Sequence, residues 1–200
     1  MEQRASLRVR KTARTRAAIV SSAQKLFDEQ GYEATTLEQI AEMADVHKQT
    51  VLRYFRNKEE IALAFRIQAI EEFELGLVAP TRKVDPLTYW RHFALASAKA
   101  VARRGDLFKY NEFLRSDPRL FAQSLALEQR YEDALAKAFA ADAGVDPNTD
   151  LFSMMIASFL VGGCRNVARQ LARGGSVRGL ERAVTRVIDY VEANVRRPTA

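Results

Sequence analysis

The chain has 200 residues, 48% of them hydrophobic. This is enough for one large helical core, or for a small domain of about 60 residues joined to a larger one, and it excludes global disorder. A net charge of +6 and a pI near 9.6 favour a polyanionic partner but do not separate nucleic acid from an acidic membrane surface. The single cysteine, Cys164, excludes an intramolecular disulfide framework, and no Cys/His group has zinc-ligand spacing.

No segment predicts export or membrane insertion. The longest nearly apolar stretch, Met154 to Cys164, is far short of the roughly 20 residues that span a bilayer. The basic N-terminus leads into no apolar signal-peptide region. A reducing cytoplasm without a membrane partner is therefore expected.

The N-terminus carries most of the net charge. Residues 1–16 hold six basic residues against one acid, Glu2, so the segment has a charge of +5 out of the total +6. The charge pattern predicts that residues 1–14 form a flexible, solvated arm. The six basic residues of positions 1–16 are Arg4, Arg8, Arg10, Lys11, Arg14 and Arg16.

Apolar residues then recur at helical spacing almost throughout, which predicts an all-α chain. Gly31 is suited to end a first helix, because a residue after a helix often needs a positive φ, and Tyr32 can pack back onto that helix. Capping patterns at Thr36 and Asn57 predict two further helix starts. The second of these begins a long helix from Lys58 to about Leu77. The apolar residues that share one face of the first predicted helix, the one that Gly31 ends, are Ile19, Ala23, Leu26 and Phe27.

Three Asp-Pro pairs, at Asp85, Asp117 and Asp146, suggest additional helix starts, because each places an N-cap residue beside a proline preorganised for the first turn. Helices are predicted at about 87–104, 107–115, 118–142, 150–173 and 177–196. The breaks between them fall at Gly105, Asp117, Gly144 and Gly174-Gly175.

The segment from Leu37 to Phe55 has the pattern of a helix-turn-helix. Ile40 is placed for the core, Ala41 lets a second helix cross closely, and Asp45 stands where such turns usually have glycine. Aspartate is among the few other residues that adopt the left-handed region. A short second helix, about His47 to Phe55, would expose donors suited to phosphates or base edges: Lys48, Gln49, Thr50, Arg53 and Tyr54. Val46 and Val51 would pack it against the first helix.

Over roughly residues 15–65 the chain resembles the tetracycline-repressor (TetR) family of transcriptional regulators. The resemblance is carried, in order, by Ala23-Gln24-Lys25-Leu26-Phe27, Gly31-Tyr32, Thr35-Thr36-Leu37, Ile40-Ala41, Val46, Thr50-Val51, Tyr54-Phe55 and Lys58-Glu59. It implies a three-helix DNA-binding domain at 15–65 and a helical ligand-binding and dimerisation domain at 66–200. It also implies a homodimeric repressor of the bacterial cytoplasm and nucleoid, released from operator DNA by a small molecule.

The resemblance also implies DNA contacts, and three positions depart from the family pattern. His47 replaces a better capping serine, Gln49 stands where a small residue is common, and Leu52 replaces a tyrosine that touches phosphate. Gln49 could add recognition of adenine. Lys58 matches a phosphate-contacting lysine. The expected DNA-binding residues are Thr36, His47, Lys48, Gln49, Thr50, Arg53, Tyr54, Arg56 and Lys58. The arm either contributes nothing specific or inserts Arg8, Arg10 or Arg14 into a minor groove.

The C-terminal part is expected to hold a hydrophobic or amphipathic effector between its helices. Candidate pocket residues are Trp90, Phe93, Phe113, Phe121, Tyr131, Met155 and Phe159. A dimer interface is expected on the last two helices, where the interior glycine pair indicates close approach of a neighbouring helix or, alternatively, an intrachain contact or a bend. Candidate interface residues are Phe159, Gly162, Gly163, Val167, Val184, Val187 and Val191.

Two other classes of function compete with a ligand-responsive regulator. An enzyme has little support, because the chain has two His, one Cys and no Gly-rich phosphate loop, nucleophile elbow or metal cluster. Turnover of a metabolite by the pure protein would support it. An architectural or adaptor protein that binds DNA without a ligand is the second alternative, and a fillable C-terminal cavity would argue against it. Neither a cofactor nor a metal is expected.

Overall fold

The computed structural model describes residues 2–104, 112–174 and 178–195, with side chains from residue 10 onward except that of residue 104. The described residues form helices and turns without a strand, as the all-α prediction required. The helices are α1 (Glu2–Gln30), α2 (Leu37–Met43), α3 (Lys48–Tyr54), α4 (Lys58–Ala62), α5 (Ala64–Val78), α6 (Pro86–Arg104), α7 (Pro118–Asp142), α8 (Leu151–Arg173) and α9 (Leu180–Asn194).

The predicted C-terminal helices match α6 to α9 within a few residues. Most of the helix predicted at 107–115 lies outside the described residues, although 112–115 are helical. The predicted breaks at Gly105 and Gly175 also fall outside them. Gly144, with φ 67°, follows the end of α7 as predicted.

The chain divides into two compact units. The first comprises Met1–Gln68 and Arg115–Gln123, and the second comprises Ala69–Leu114 and Ser124–Ala200. The first boundary between them falls within α5.

In the first unit, α1 packs on α2 and α4, and α2 packs on α3. Helix α1 buries the face predicted for it, and Ile40, Val51 and Ile61 supply the core side of the next three helices. The end of α1 is also as predicted. Gly31 has φ 86° and donates its N–H to the Phe27 carbonyl at 3.0 Å, while Tyr32 stacks at a tilt on the Phe27 ring.

The local capping signals are confirmed. Thr36 accepts a hydrogen bond from the Gln39 N–H and donates its own N–H to the Gln39 side chain, which is a complete capping box. Asn57 caps α4 by accepting from the Glu60 N–H at 2.8 Å. Asp85 and Asp117 accept from backbone N–H groups at the starts of α6 and α7.

Three structural expectations are wrong. Residues 2–14 are not a flexible arm but belong to α1, because the first thirty residues contain no glycine or proline and consist largely of helix-compatible residues. The long helix predicted from Lys58 to Leu77 is interrupted at Leu63, which has φ −95° and ψ 4°. Asp146-Pro147 begins only a turn, and α8 starts after Asp150, which caps it by accepting from the Ser153 N–H.

In the second unit, α9 packs against α8 and α6. Arg91 of α6 joins α9 through ion pairs with Asp189 at 2.6 Å and Glu192 at 2.7 Å. By length and composition alone, α8 could cross a membrane. Its buried residues supply the core against α9, which accounts for that composition: Ser153, Ile156, Ala157, Leu160, Val161, Cys164 and Ala172.

Candidate nucleic-acid interface

Helix α3 is held by its apolar side and presents polar side chains outward. Val51 is fully buried, whereas Lys48, Gln49 and Arg53 are exposed and Thr50 is half-buried. A helix fixed in this way offers its donors to an external partner without moving its core contact. This is the geometry with which a recognition helix enters a major groove.

The turn before α3 fixes its position relative to α2. Asp45 has φ 53°, in the left-handed region as predicted, and the Val46 N–H donates to the Ala41 carbonyl at 3.0 Å. His47 precedes the helix in an extended conformation and its side chain makes no capping hydrogen bond. The imidazole of His47 is exposed and therefore accessible to a partner.

Lys48 is paired within the chain. Its ammonium donates to Glu38 of α2 at 2.5 Å, and both side chains remain largely exposed. This hydrogen bond holds the pKa of the Glu38 carboxyl below its usual range. Since Glu38 neutralises a cation of the recognition helix, DNA must compete with a carboxylate for Lys48.

Tyr54 connects the end of α3 to α1. Burial raises the pKa of its phenol, but hydrogen bonds with Thr12, Arg53 and Thr15 outweigh this effect, so the pKa is lowered. The Arg53 guanidinium lies 5.4 Å from the centre of the Tyr54 ring. Tyr54 therefore packs within the domain as well as bordering its exposed surface.

Lys58 holds the loop between α1 and α2. Its ammonium donates to the carbonyls of Tyr32 at 2.6 Å, Thr35 at 2.9 Å and Glu33 at 3.4 Å, and it lies 4.2 Å from the centre of the Tyr32 ring. These contacts occupy the donors that the family resemblance assigned to phosphate. In this conformation Lys58 stabilises the fold of the domain.

The other two expected contact residues lie at helix boundaries. Thr36 is exposed and uses its hydroxyl in the capping box of α2. Arg56 is exposed between α3 and α4, and its backbone N–H donates to Glu60 at 2.7 Å. The guanidinium of Arg56 therefore extends from a backbone that is anchored locally.

The second unit contains a cluster of aromatic rings from α5, α6 and α7. The predicted pocket residues Trp90, Phe93 and Tyr131 surround Phe73, with ring centroids 4.8 to 5.8 Å from it. The ring of Tyr89 also lies against Phe73, with a centroid distance of 5.4 Å. A cluster of this kind offers several ring faces and edges to an apolar ligand.

Polar groups adjoin these rings. Trp90 is buried, and its indole nitrogen has no well-formed hydrogen bond among the described residues, although the Cys164 thiol lies near it. Burial raises the pKa of Cys164 to about 11 despite the opposing effect of the indole N–H. Arg130, beside Tyr131 in sequence, forms two hydrogen bonds with Glu74 of α5.

The other predicted pocket residues differ in their exposure and in the compact unit to which they belong. Met155 and Phe159 are exposed on α8, at 42% and 49%, and Phe121 belongs to the first compact unit. Phe113 is half-buried in the second unit. The exposed side chains of Met155 and Phe159 are accessible to a partner surface and are not enclosed around a small molecule.

The predicted interface residues divide into exposed and internal ones. Val184 and Val191 are buried in the chain's own core, because α9 turns them toward its neighbouring helices. Gly163 permits an intrachain contact, since a Cβ atom there would lie 2.6 Å from Cγ1 of Val187. Phe159 is exposed, and Gly162 and Val167 are half-exposed.

Three residues that matter for these sites are absent from the predicted DNA-binding and pocket residues. Glu38 is the partner of Lys48, and Phe73 and Tyr89 complete the aromatic cluster. Gly76 is a sequence signal for the contact with Tyr89, because a glycine inside a helix indicates that a neighbouring group approaches the backbone closely. A Cβ atom at Gly76 would collide with the Tyr89 hydroxyl. Nothing in the local sequence pairs Glu38 with Lys48 ten positions away.

Comparison with known proteins agrees with this geometry. Residues 19–65 match the model of bacterial regulatory proteins of the tetR family. The transcriptional regulator TcmR of Streptomyces glaucescens is 35% identical over 173 residues, which cover 82% of this chain and 76% of TcmR.

Solved structures share the fold at lower identity. A complex of SmeT, a repressor from Stenotrophomonas maltophilia, with triclosan has a TM-score of 0.64 at 22% identity and covers 93% of this chain and 96% of its own. FadR of Thermus thermophilus, in complex with lauroyl-CoA, has a TM-score of 0.60 at 22% identity, with 92% and 97% coverage.

The fold and the exposed α3 define a helix-turn-helix DNA-binding transcriptional regulator. The chain belongs to the tetR family of bacterial regulatory proteins. Members of this family are regulators and not enzymes.

Proposed function

We propose that the chain is a homodimeric repressor that binds operator DNA through α3 and is released by a small apolar or amphipathic molecule. The exposure of Lys48, Gln49 and Arg53 on a helix anchored by buried Val51 carries the proposal. Such a protein acts in the bacterial cytoplasm, in association with the nucleoid, and requires neither a cofactor nor a membrane.

The proposed DNA contacts separate into base readers and backbone contacts. Gln49 can read adenine through its amide, and Lys48 can donate to guanine once it leaves Glu38. The remaining contacts are assigned to phosphates: Thr36, His47, Thr50, Arg53, Tyr54 and Arg56. Lys58 contributes by holding the loop that leads into α2.

An exposed apolar stripe on α8 supports the homodimer. Leu151, Met155 and Phe159 follow one another at four-residue spacing and are 77%, 42% and 49% exposed. Side chains four apart lie on one face of a helix. An apolar face of this kind is a common site of protein association. Tyr190 on α9 is also exposed and could border the same partner.

The aromatic cluster supports an effector site in the second unit. Its rings favour an apolar ligand, and the buried Trp90 N–H without a good acceptor favours a ligand that carries an acceptor. SmeT with triclosan and FadR with lauroyl-CoA each hold a molecule that combines apolar and polar parts. This similarity supports the same chemical class for the effector of this chain.

Selection of duplexes from a random-sequence pool tests the proposal, with sedimentation of the free protein as a second measurement. We expect an enriched inverted repeat whose half-sites are spaced by about one helical turn or a related period. We also expect a dimer in free solution that is weakened by Phe159→Asp. A monomer that enriches no sequence would contradict the proposal.

A further inference from the structure

The first part of helix α1 carries a run of basic residues before the helix reaches the core. From residue 3 to residue 27 the chain has seven basic residues and no acidic one. The side chains of residues 10–14 are all exposed, and burial begins with the half-buried Thr15 and Arg16. This part of α1 is therefore a polar helical extension of the DNA-binding unit.

The extension is electrostatically unfavourable by itself. Arg10 and Arg14 are four residues apart, and Lys11 and Arg14 are three apart, so like charges share one face of the helix. Such pairs destabilise an isolated helix. A polyanion beside this face would remove the repulsion.

Contacts in the same compact unit join this extension to the recognition helix. Thr12 and Thr15 of α1 adjoin the Tyr54 phenol at the end of α3 and lower its pKa. The guanidinium of Arg16, the residue after Thr15, lies 5.1 Å from the centre of the Phe55 ring. Lys11 and Arg14 thus lie within one turn or so of the part of α1 that contacts the end of α3.

We infer that Arg10, Lys11 and Arg14 on this helical extension form a second cationic surface, which contacts phosphates of the duplex that α3 reads. The inference rests on the proposed function and adds a contact region outside the helix-turn-helix. Because α1 is helical there, the basic side chains act from a fixed backbone and not as an arm threaded into a minor groove.

The salt dependence of DNA binding measures these contacts. The probe is a duplex selected with the wild-type protein, and the test variant is Lys11→Gln/Arg14→Gln. Each lost phosphate contact lowers the slope of log K against log salt by about 0.9, so we expect a loss of about 1.8 per protomer. Hydroxyl-radical footprinting should show fewer protected backbone positions.

A matched control makes the same charge change elsewhere. Lys137→Gln/Arg103→Gln removes one exposed lysine and one exposed arginine from the second unit, and it should leave the slope and the footprint unchanged. If the test variant keeps the wild-type slope on a duplex that both proteins bind, the inference is overturned while the proposed function stands. If the wild type selects and binds no duplex, both are overturned.

The helical form of the extension has its own test. Ala13→Pro keeps every basic residue but interrupts the helix, because proline in a helix interior removes a backbone hydrogen bond and clashes with the preceding turn. We expect it to lose footprint positions as the charge variant does. An unchanged footprint would support a flexible arm and overturn the helical surface. Charge-dependent binding to phosphatidylglycerol vesicles, with an unchanged slope on DNA, would assign the surface to lipid and overturn the inference.

Discussion

The ammonium group of Lys58 has three N–H donors, and all of them face carbonyl oxygens of the loop between α1 and α2. Tyr32, under the same ammonium, is itself buried. Burial, followed by the nearby Glu59 charge, raises the pKa of the Tyr32 phenol. The first turn of α4 therefore secures the loop that delivers Thr36 to the start of α2.

Replacement of Lys58 by methionine separates this positioning role from a phosphate contact. Lys58→Met should reduce the free energy of unfolding by roughly 1–3 kcal/mol, because three carbonyls lose a charged donor. DNA affinity should fall while its salt slope stays unchanged. Lys58→Arg should restore part of both stability and affinity.

The measurements are urea unfolding and anisotropy titrations at several salt concentrations. A slope reduced by about 0.9 per protomer without loss of stability would instead make Lys58 a phosphate contact.

At the scale of helices, the features predicted from sequence were those with local causes. Gly31, Thr36 and Asn57 act within four residues of their own positions, and each behaves as the pattern predicted. Asp146 also makes local hydrogen bonds, but these close a turn before Asp150 begins the helix. The break at Leu63 has no glycine or proline to signal it.

Features that depend on distant partners could not be predicted in the same way. Lys58 finds its acceptors 23 to 26 positions earlier in the chain. The pair Gly162-Gly163 indicated that another helix approaches closely, but the sequence could not tell whether that helix belongs to the same chain or to a partner subunit. In the structure, the side chain of Val187 from the same chain lies where a Cβ atom of residue 163 would be.

The contact between α8 and α9 predicts different effects for the two adjacent glycines. Gly163→Ala should lower the free energy of unfolding by roughly 1–3 kcal/mol, because a Cβ would lie 2.6 Å from the stiff Val187 side chain. Val187→Ala should restore stability in the double variant. Urea unfolding at one protein concentration measures the free energy of unfolding of the wild type, of Gly163→Ala and of the double variant.

Gly162→Ala is the matched control for this contact. An added Cβ there comes no closer than 3.7 Å to Arg165, and alanine is the better helix former by about 1 kcal/mol. Equal losses in both variants would show that helix packing between α8 and α9 is not the cause. Loss of the dimer in Gly162→Ala alone would indicate that a partner approaches at this position.

For the whole molecule, the proposed function requires coupling between effector and DNA. Two recognition helices of a dimer must reach major grooves about 34–36 Å apart, so a change in their separation removes contacts from both half-sites. A typical coupling of 1–3 kcal/mol corresponds to a 5–150-fold loss of operator affinity. Operator DNA must then weaken effector binding by the same factor.

Calorimetry on the free and DNA-bound protein tests this coupling. Apolar compounds that carry a hydrogen-bond acceptor are first ranked by thermal shift, and the best of them are titrated. Trp90→Phe removes the buried N–H but keeps a ring, and it should weaken an effector that carries an acceptor. A compound that binds with the same affinity in the presence and absence of operator would not be an allosteric effector.

The central claim is that α3 reads DNA sequence, and base-pair scanning of the selected duplex with wild type and Gln49→Ala tests it most directly. We expect wild type to lose roughly 1–3 kcal/mol of binding at one symmetric base pair, and Gln49→Ala to lose discrimination there while keeping it elsewhere. If substitutions along α3 leave every base preference unchanged, this helix does not read the operator and the account is contradicted.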